Sequence, residues 1–145
     1  MSNSFGSMAR VEMQLNFSAA EFVNLNQLDQ SAPIQIYLIP LKSDEKFISI
    51  PEATILNDPY QSFGADLGGS VQEIILAPGE KRTLKVMVPC PGYLGILGNF
   101  RKPAMEENNN RRSIPCVERG WLKWFPAKRN WQIDLFDDAM RVRPQ

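Results

Sequence analysis

The chain has 145 residues, of which 43% are apolar and 22% charged, a composition typical of a folded globular protein and unlike that of a disordered one. Sixteen basic and sixteen acidic residues give a formal net charge of zero, so no overall field attracts nucleic acid. Histidine is absent, which removes the commonest general base and the commonest nitrogen ligand for zinc. We therefore predict one packed domain over residues 1–145 that does not bind nucleic acid and is not an enzyme.

The first predicted strand follows a flexible N-terminus, residues 1–10. Residues 11–17 read VEMQLNF and alternate apolar with polar side chains, the pattern of a half-buried strand. The connection that follows, residues 18–32, is too long for a tight hairpin and contains Phe22, Leu25 and Leu28. These apolar side chains either fold back onto the sheet or project as an adhesive patch for a protein partner.

A second strand and a short helical segment come next. Residues 33–41, PIQIYLIPL, are rich in Ile, and Pro40 fits only an edge, a bulge or the strand's end. Residues 42–58 offer Ser43 and Asp44 as helix N-caps, but Pro51 cannot lie inside a helix. We expect one or two short helical turns packed against the sheet.

The middle of the chain contains a glycine-rich passage, FGADLGGS, at residues 63–70. It lacks the Gly-Lys-Ser/Thr ending of a phosphate loop and is followed by a strand-like run, so we interpret it as a structural turn. The runs SVQEIIL and KRTLKVMVP flank a Pro-Gly turn at Pro78 and Gly79 and predict a β-hairpin. The glycine-containing run GYLGILGNFR predicts its next partner strand.

Beyond this strand, residues 102–130 lose the strand pattern, and we predict an inserted, exposed loop region. Its aromatic side chains Trp121, Trp124 and Phe125 lie among basic residues and define an alternative contact for a ligand or a membrane. The run WQIDLF, residues 131–136, predicts a last strand, and residues 137–145 predict a polar tail that frays.

Chemistry-bearing residues are few. Cys90 and Cys116 form one disulfide in an oxidising compartment or remain separate buried thiols in a reducing one, and the sequence leaves both open. No metal-ligand spacing and no activated nucleophile is evident, so we predict no catalytic residue, no metal and no cofactor. The chain also shows no transmembrane run and no secretory signal.

The order of several short motifs resembles the TssJ (SciN) lipoproteins of type VI secretion systems. The motifs are APIQIYLIPLK, a helical Phe at Phe47, FGADL, LAPGE, and YLGILGNFR before a tryptophan strand. The similarity covers about residues 11–101 and resumes near Trp131. It implies a mainly β, two-layer sandwich of transthyretin-like type with a little helix.

The resemblance also implies a role. Family members are attached by an N-terminal lipid to the periplasmic face of the outer membrane and bind the C-terminal periplasmic domain of TssM, with TssL in the same complex. Their loop between the first two strands makes the contact, which here predicts a partner-binding set of seven residues: Glu21, Phe22, Asn24, Leu25, Asn26, Leu28 and Asp29. No cysteine precedes Cys90, so we expect the lipid attachment site to lie upstream of this sequence. The alternative function is a soluble β-sandwich module that binds a carbohydrate or another ligand through the Trp-rich insertion.

Overall fold

A computed structural model describes residues 9–102, 110–117 and 129–145. Eight strands and three short α-helices make up this part of the chain, and the predicted mainly β sandwich is confirmed. The strands are β1 (Arg10–Ala19), β2 (Ile34–Leu41), β3 (Gln72–Leu76), β4 (Lys81–Pro89), β5 (Gly92–Asn99), β6 (Arg111–Cys116), β7 (Asn130–Leu135) and β8 (Met140–Pro144). The helices are α1 (Glu45–Ser49), α2 (Glu52–Asn57) and α3 (Pro59–Phe63), and a 3-10 turn follows at Gly64–Asp66.

The strands form two four-stranded sheets. Sheet A has the order β4-β1-β7-β8 and sheet B the order β3-β2-β5-β6. All neighbouring strands are antiparallel except β1 and β7, which run parallel with Leu15 opposite Trp131. Alternate residues of β1 point between the sheets, so Met13, Leu15 and Phe17 are buried in the shared core. The predicted alternation of the first strand therefore marks its buried face correctly.

The helices cover the outer face of sheet B. Phe47, Ile55 and Phe63, one from each helix, pack against Ile39 and Leu97 in a second apolar cluster. We predicted one or two helical turns, and the structure has three short helices. The start of α3 carries a sequence signal for a helix N-terminus. The Asp58 side chain caps α3 by accepting from the Gln61 amide, and Pro59 occupies the first turn.

The predicted hairpin between β3 and β4 is wrong, because β3 pairs with β2 in sheet B and β4 pairs with β1 in sheet A. Gly79 has φ of 77° after Pro78, and the Glu80 amide donates to the Ala77 carbonyl at 3.0 Å. These features define a type II turn, whereas two-residue hairpins need type I′ or II′ turns that match the strand twist. The chain therefore crosses from one sheet to the other at this turn. The expected pairing of β5 with this hairpin is wrong for the same reason, since β5 lies between β2 and β6.

The glycine-rich passage is a structural turn, as predicted. The Gly68 amide donates to the Pro40 carbonyl at 2.9 Å, and Leu67 forms a bridge with Leu41. A Cβ atom at Gly68 would lie 2.5 Å from a side-chain carbon of Pro89, so only glycine fits this approach. Pro40 is tolerated near the end of β2 because β3 pairs only with Ile34–Leu38.

Two strands lie where the sequence predicted none. β6 occupies Arg111–Cys116 inside the predicted loop region 102–130, and β8 occupies Met140–Pro144 inside the predicted fraying tail. Both are edge strands, which expose polar side chains and accept proline, so their sequences lack the apolar alternation of a central strand. Residues 103–109 and 118–128 of the predicted loop region lie outside the described part of the chain, as do residues 1–8 of the predicted flexible N-terminus.

The structure joins Cys90, which directly follows β4, to Cys116, the last residue of β6, in a disulfide. Both cysteines are buried in the shared core. The bond therefore links a strand end of sheet A to an edge strand of sheet B.

Candidate protein-binding site

The connection between β1 and β2, residues 20–33, is called the β1–β2 loop below. It is tied to the end of β7 by two backbone hydrogen bonds: the Ala20 amide donates to Leu135 at 2.9 Å, and the Asn24 amide donates to Phe136 at 3.1 Å. Val23 is fully buried in the core. The loop is thus a well-packed structure rather than a loose strand connection.

Asn24 is the internal support of this loop. Its side chain is 4% exposed, donates to the Pro33 carbonyl at 2.9 Å and accepts from the Arg101 amide at 2.6 Å. Its backbone has φ of 54°, in the left-handed region that asparagine tolerates better than most residues. Asn24 belongs to the predicted partner-binding set, but both polar ends of its side chain bond inside the protein, so in this conformation it supports the loop rather than presenting a polar group on its surface.

Asn26 organises the tip of the loop. Its side-chain oxygen accepts from the amides of Leu28 at 2.8 Å and Gln30 at 3.0 Å, and its amide group donates to the Gln30 side chain at 2.9 Å. Such local bonds replace the backbone partners that a loop lacks. The tip is therefore preorganised, which lowers the entropy lost when a partner binds.

The predicted anchors differ in exposure. Leu28 is 77% exposed and Phe22 is 52% exposed, whereas Leu25 is half-buried. Glu21 and Asp29 are exposed beside them, and Asn26 is intermediate. The structure thus places six of the seven predicted residues at least partly on the surface of one loop, with Phe22 and Leu28 as its large exposed apolar side chains.

Phe22 extends the surface to another part of the chain. Its ring stacks on Phe136 with centroids 6.5 Å apart, and the Arg141 guanidinium lies 5.3 Å from the Phe136 centroid. Sequence reasoning missed Phe136 and Arg141 because they lie more than a hundred residues from Phe22 and only the parallel pairing of β1 with β7 brings them together. Phe136 was assigned to the last strand, and nothing in its local sequence indicated this contact.

Charges of both signs surround the loop. Lys102 forms a long ion pair with Asp29, with Nζ 3.9 Å from Oδ1. Partial burial and the neighbouring Asp137 carboxylate raise the pKa of Asp138, while the Lys102 charge opposes that rise. The Lys102 ammonium is therefore balanced by acidic neighbours within the fold.

A buried arginine lies between the helices and sheet B. Arg111 is 8% exposed, and one of its terminal nitrogens donates to the carbonyls of Phe47 and Ile50, each at 2.8 Å. Burial lowers the pKa of Arg111, and burial raises the pKa of the adjacent Glu52 against the opposing effects of Asn110 and Arg111. Arg111 therefore holds the C-terminal end of α1 onto β6, which is a structural role.

The alternative contact at Trp121, Trp124 and Phe125 lies outside the described residues. Within residues 9–102, 110–117 and 129–145, no group of three or more His, Cys, Asp or Glu side chains is arranged to hold a metal ion. None of the helices in this described part is long and apolar enough to cross a membrane.

Two packed four-stranded sheets, with helices on one outer face and an ordered loop at one end, define a protein of β-sandwich class. The model of the type VI secretion lipoprotein family, which includes VasD, EvfM and TssJ, matches residues 11–138. The chain belongs to this family, and the predicted resemblance is confirmed.

Solved structures have the same fold. The type VI secretion lipoprotein TssJ1 from Pseudomonas aeruginosa is 21% identical, with a TM-score of 0.75 over 94% of this chain and 98% of that one. Lip from Serratia marcescens, a membrane-bound component of the type VI secretion system, is 22% identical, with a TM-score of 0.76 over 91% and 96%. A chain in the structure described as the TssM C-terminal domain (869–1107) from EAEC is 16% identical, with a TM-score of 0.71 over 90% and 99%. A comparison with curated proteins gave no match.

Proposed function

We propose that this protein is a non-catalytic scaffold subunit of a type VI secretion membrane complex. It is held at the periplasmic face of the outer membrane by an N-terminal lipid and binds the C-terminal periplasmic domain of TssM through the β1–β2 loop. TssL belongs to the same complex. Attachment to a membrane raises the effective concentration of each partner, so modest pairwise affinities can hold such an assembly together.

The construction of the β1–β2 loop is the observation that carries this proposal. Val23 and Asn24 fix its base, Asn26 fixes its tip, and Phe22 and Leu28 remain exposed on its surface. Large apolar side chains on a preorganised loop are the features of an interface centre. The loop therefore presents both side chains from a framework that is already ordered before a partner binds.

Two further observations agree with this function. Chains of the same fold occur in structures described as the TssM C-terminal domain and as a type VI membrane complex. The disulfide between Cys90 and Cys116 suits an oxidising compartment such as the periplasm.

Truncation of either exposed anchor tests the loop directly. We expect Phe22→Ala and Leu28→Ala each to weaken binding to the TssM C-terminal domain from the same genome by about 1–4 kcal/mol, because each removes apolar area at the centre of the contact. Isothermal titration calorimetry of the chain with that domain measures the effect.

Met87→Ala is the matched control. Met87 is 49% exposed, close to the value for Phe22, but it lies opposite Glu12 near the start of β1, at the other end of that strand from the loop. The control should bind like the unaltered chain. Unchanged affinity in both loop variants, with thermal unfolding showing an intact fold, would rule out this loop as the contact.

A further inference from the structure

The surface beside the β1–β2 loop contains two grooves that share a pair of basic residues. The first, called the loop groove, is lined by Asn26, Gln27 and Leu28 together with Arg101 and Lys102. The second, called the helix groove, is lined by the same Arg101 and Lys102 and by residues of α2, of the end of β5 and of the chain next to β5 and β6: Glu52, Ala53, Leu56, Asn99, Phe100 and Asn110. Arg101 and Lys102 therefore form a ridge between the two grooves.

Arg101 is attached to the loop rather than merely close to it. Its amide donates to the side chain of Asn24 at 2.6 Å, and Asn24 also bonds to Pro33 at the loop's end. A partner that contacts the exposed Leu28 at the loop tip therefore meets, in the same groove, a basic residue whose backbone is bonded to the loop.

The charges around the ridge are unequal. Lys102 has the carboxylates of Asp29 and Asp138 nearby, and Glu52 in the helix groove has Arg111 and Asn110. Arg101 is exposed, and in the described part of the chain no carboxylate forms an ion pair with its guanidinium. Of the two basic residues that the grooves share, Arg101 is thus the one with no ion-pair partner among the described residues.

We infer that Arg101 receives a carboxylate from an acidic segment of the TssM periplasmic domain, while apolar side chains of that segment enter the two grooves against Leu28 and Leu56. A guanidinium is suited to this task because its planar fork binds a carboxylate with two parallel hydrogen bonds. The inference rests on the proposed function and adds that the partner presents a carboxylate at the same site.

Charge reversal at Arg101 tests the inference. Arg101→Glu should weaken binding to the TssM domain about tenfold or more, because it places like charges together at the contact. Arg101→Gln should weaken binding less, since it removes the charge without adding repulsion. The side chain is exposed, so both variants should keep the thermal unfolding temperature of the unaltered chain.

Arg10→Glu makes the same charge change at a distant place. Arg10 is exposed and begins β1, whereas the loop follows the last residue of that ten-residue strand. At about 3.3 Å per residue the two ends lie roughly 30 Å apart. The control variant therefore reports any effect of net charge alone and should bind like the unaltered chain.

Salt dependence provides a second readout. Raising ionic strength from about 0.05 M to about 0.5 M screens exposed charge pairs, so it should weaken binding of the unaltered chain more than binding of Arg101→Gln. Equal salt dependence in the two proteins would overturn the inference. The inference would also be overturned if Arg101→Glu bound the TssM domain as tightly as Arg10→Glu does. The proposed binding of TssM through the loop would not be affected by that result. Absence of binding by the unaltered chain would overturn the proposed function and the inference with it.

Discussion

Asn24 determines the course of the β1–β2 loop through both its backbone and its side chain. A left-handed conformation at this position is costly for residues with a Cβ atom, and asparagine reduces that cost. Its side chain then bonds to Pro33, nine residues later, and to Arg101, two residues after the end of β5. The residue thus connects the predicted binding loop to the basic ridge.

Substitution of Asn24 should separate the contribution of its left-handed backbone from that of its side-chain hydrogen bonds. We expect Asn24→Gly to lower the free energy of unfolding by about 1–3 kcal/mol, because it removes the two part-buried hydrogen bonds that the Asn24 side chain makes to the backbone of Pro33 and Arg101. Asn24→Ala should cost roughly 1 kcal/mol more, since alanine also adopts the left-handed region unfavourably. Urea unfolding followed by circular dichroism measures both. Equal stability of the alanine and glycine variants would contradict the backbone contribution.

The residues of the site show what a sequence can and cannot predict. Phe22 and Leu28 were identifiable as apolar residues in an over-long connection, and the resemblance to a known family indicated the same loop. The burial of Asn24 was not identifiable, because its partners are distant in sequence and polar residues in loops are usually exposed. Arg101 could not be identified as a binding residue from the sequence either. Only the three-dimensional positions of the neighbouring carboxylates show that none of the described ones pairs with its guanidinium.

Among the elements, the turn between β3 and β4 controls how the sandwich is connected. The Glu80 carboxylate accepts from the Ala77 amide at 2.8 Å and from Arg82 at 2.6 and 2.9 Å, and Arg82 also donates to the Ile75 carbonyl at 3.0 Å. These bonds link the end of β3 in sheet B to the start of β4 in sheet A. The hydrogen bonds from Ala77 and Arg82 lower the pKa of Glu80.

This lowered pKa makes the contribution of the turn depend on pH. A carboxyl group whose folded pKa lies below its unfolded value stabilises the protein above the unfolded pKa and loses that effect as pH falls through the folded pKa. Glu80→Gln should therefore be less stable than the unaltered chain at pH about 7, and the difference should shrink between about pH 5 and pH 3. Chemical unfolding at several pH values measures it.

Arg82→Gln serves as a companion variant for the Glu80 test. It keeps the Glu80 carboxylate and its bond to Ala77 but removes the guanidinium. The pH dependence of the free energy of unfolding should therefore become smaller without disappearing. A stability difference between the unaltered chain and Glu80→Gln that stayed constant down to pH about 3 would contradict the role of the Glu80 charge.

Local pattern predicted some elements and not others for physical reasons. β1 was predictable because one of its faces is buried and its side chains alternate accordingly. β6 and β8 were missed because edge strands have little apolar area to bury and contain Pro115 and Pro144. The β3–β4 hairpin was predicted from adjacency in the sequence, while the turn type, which decides whether two strands can pair, contradicts it.

For the molecule as a whole, the disulfide joins the two sheets across a sequence separation of 26 residues. Closing a loop of this length in the unfolded chain should stabilise the fold by about 3 kcal/mol. We expect Cys90→Ser with Cys116→Ser to lose roughly that amount in urea unfolding. A reducing agent should lower the stability of the unaltered chain and leave the double variant unchanged. Equal unfolding midpoints for the oxidised chain and the double variant would contradict a stabilising role.

The parallel pairing of β1 with β7 also has a consequence for biogenesis. The β1–β2 loop precedes Leu135 and Phe136 by more than a hundred residues, yet its base bonds to their backbone carbonyls. A partly translocated or prematurely terminated polypeptide would contain every residue of the loop and still lack the backbone that shapes it. If the loop binds a partner as proposed, a polypeptide that lacks β7 and Phe136 would not form the binding surface and would be left out of the assembly.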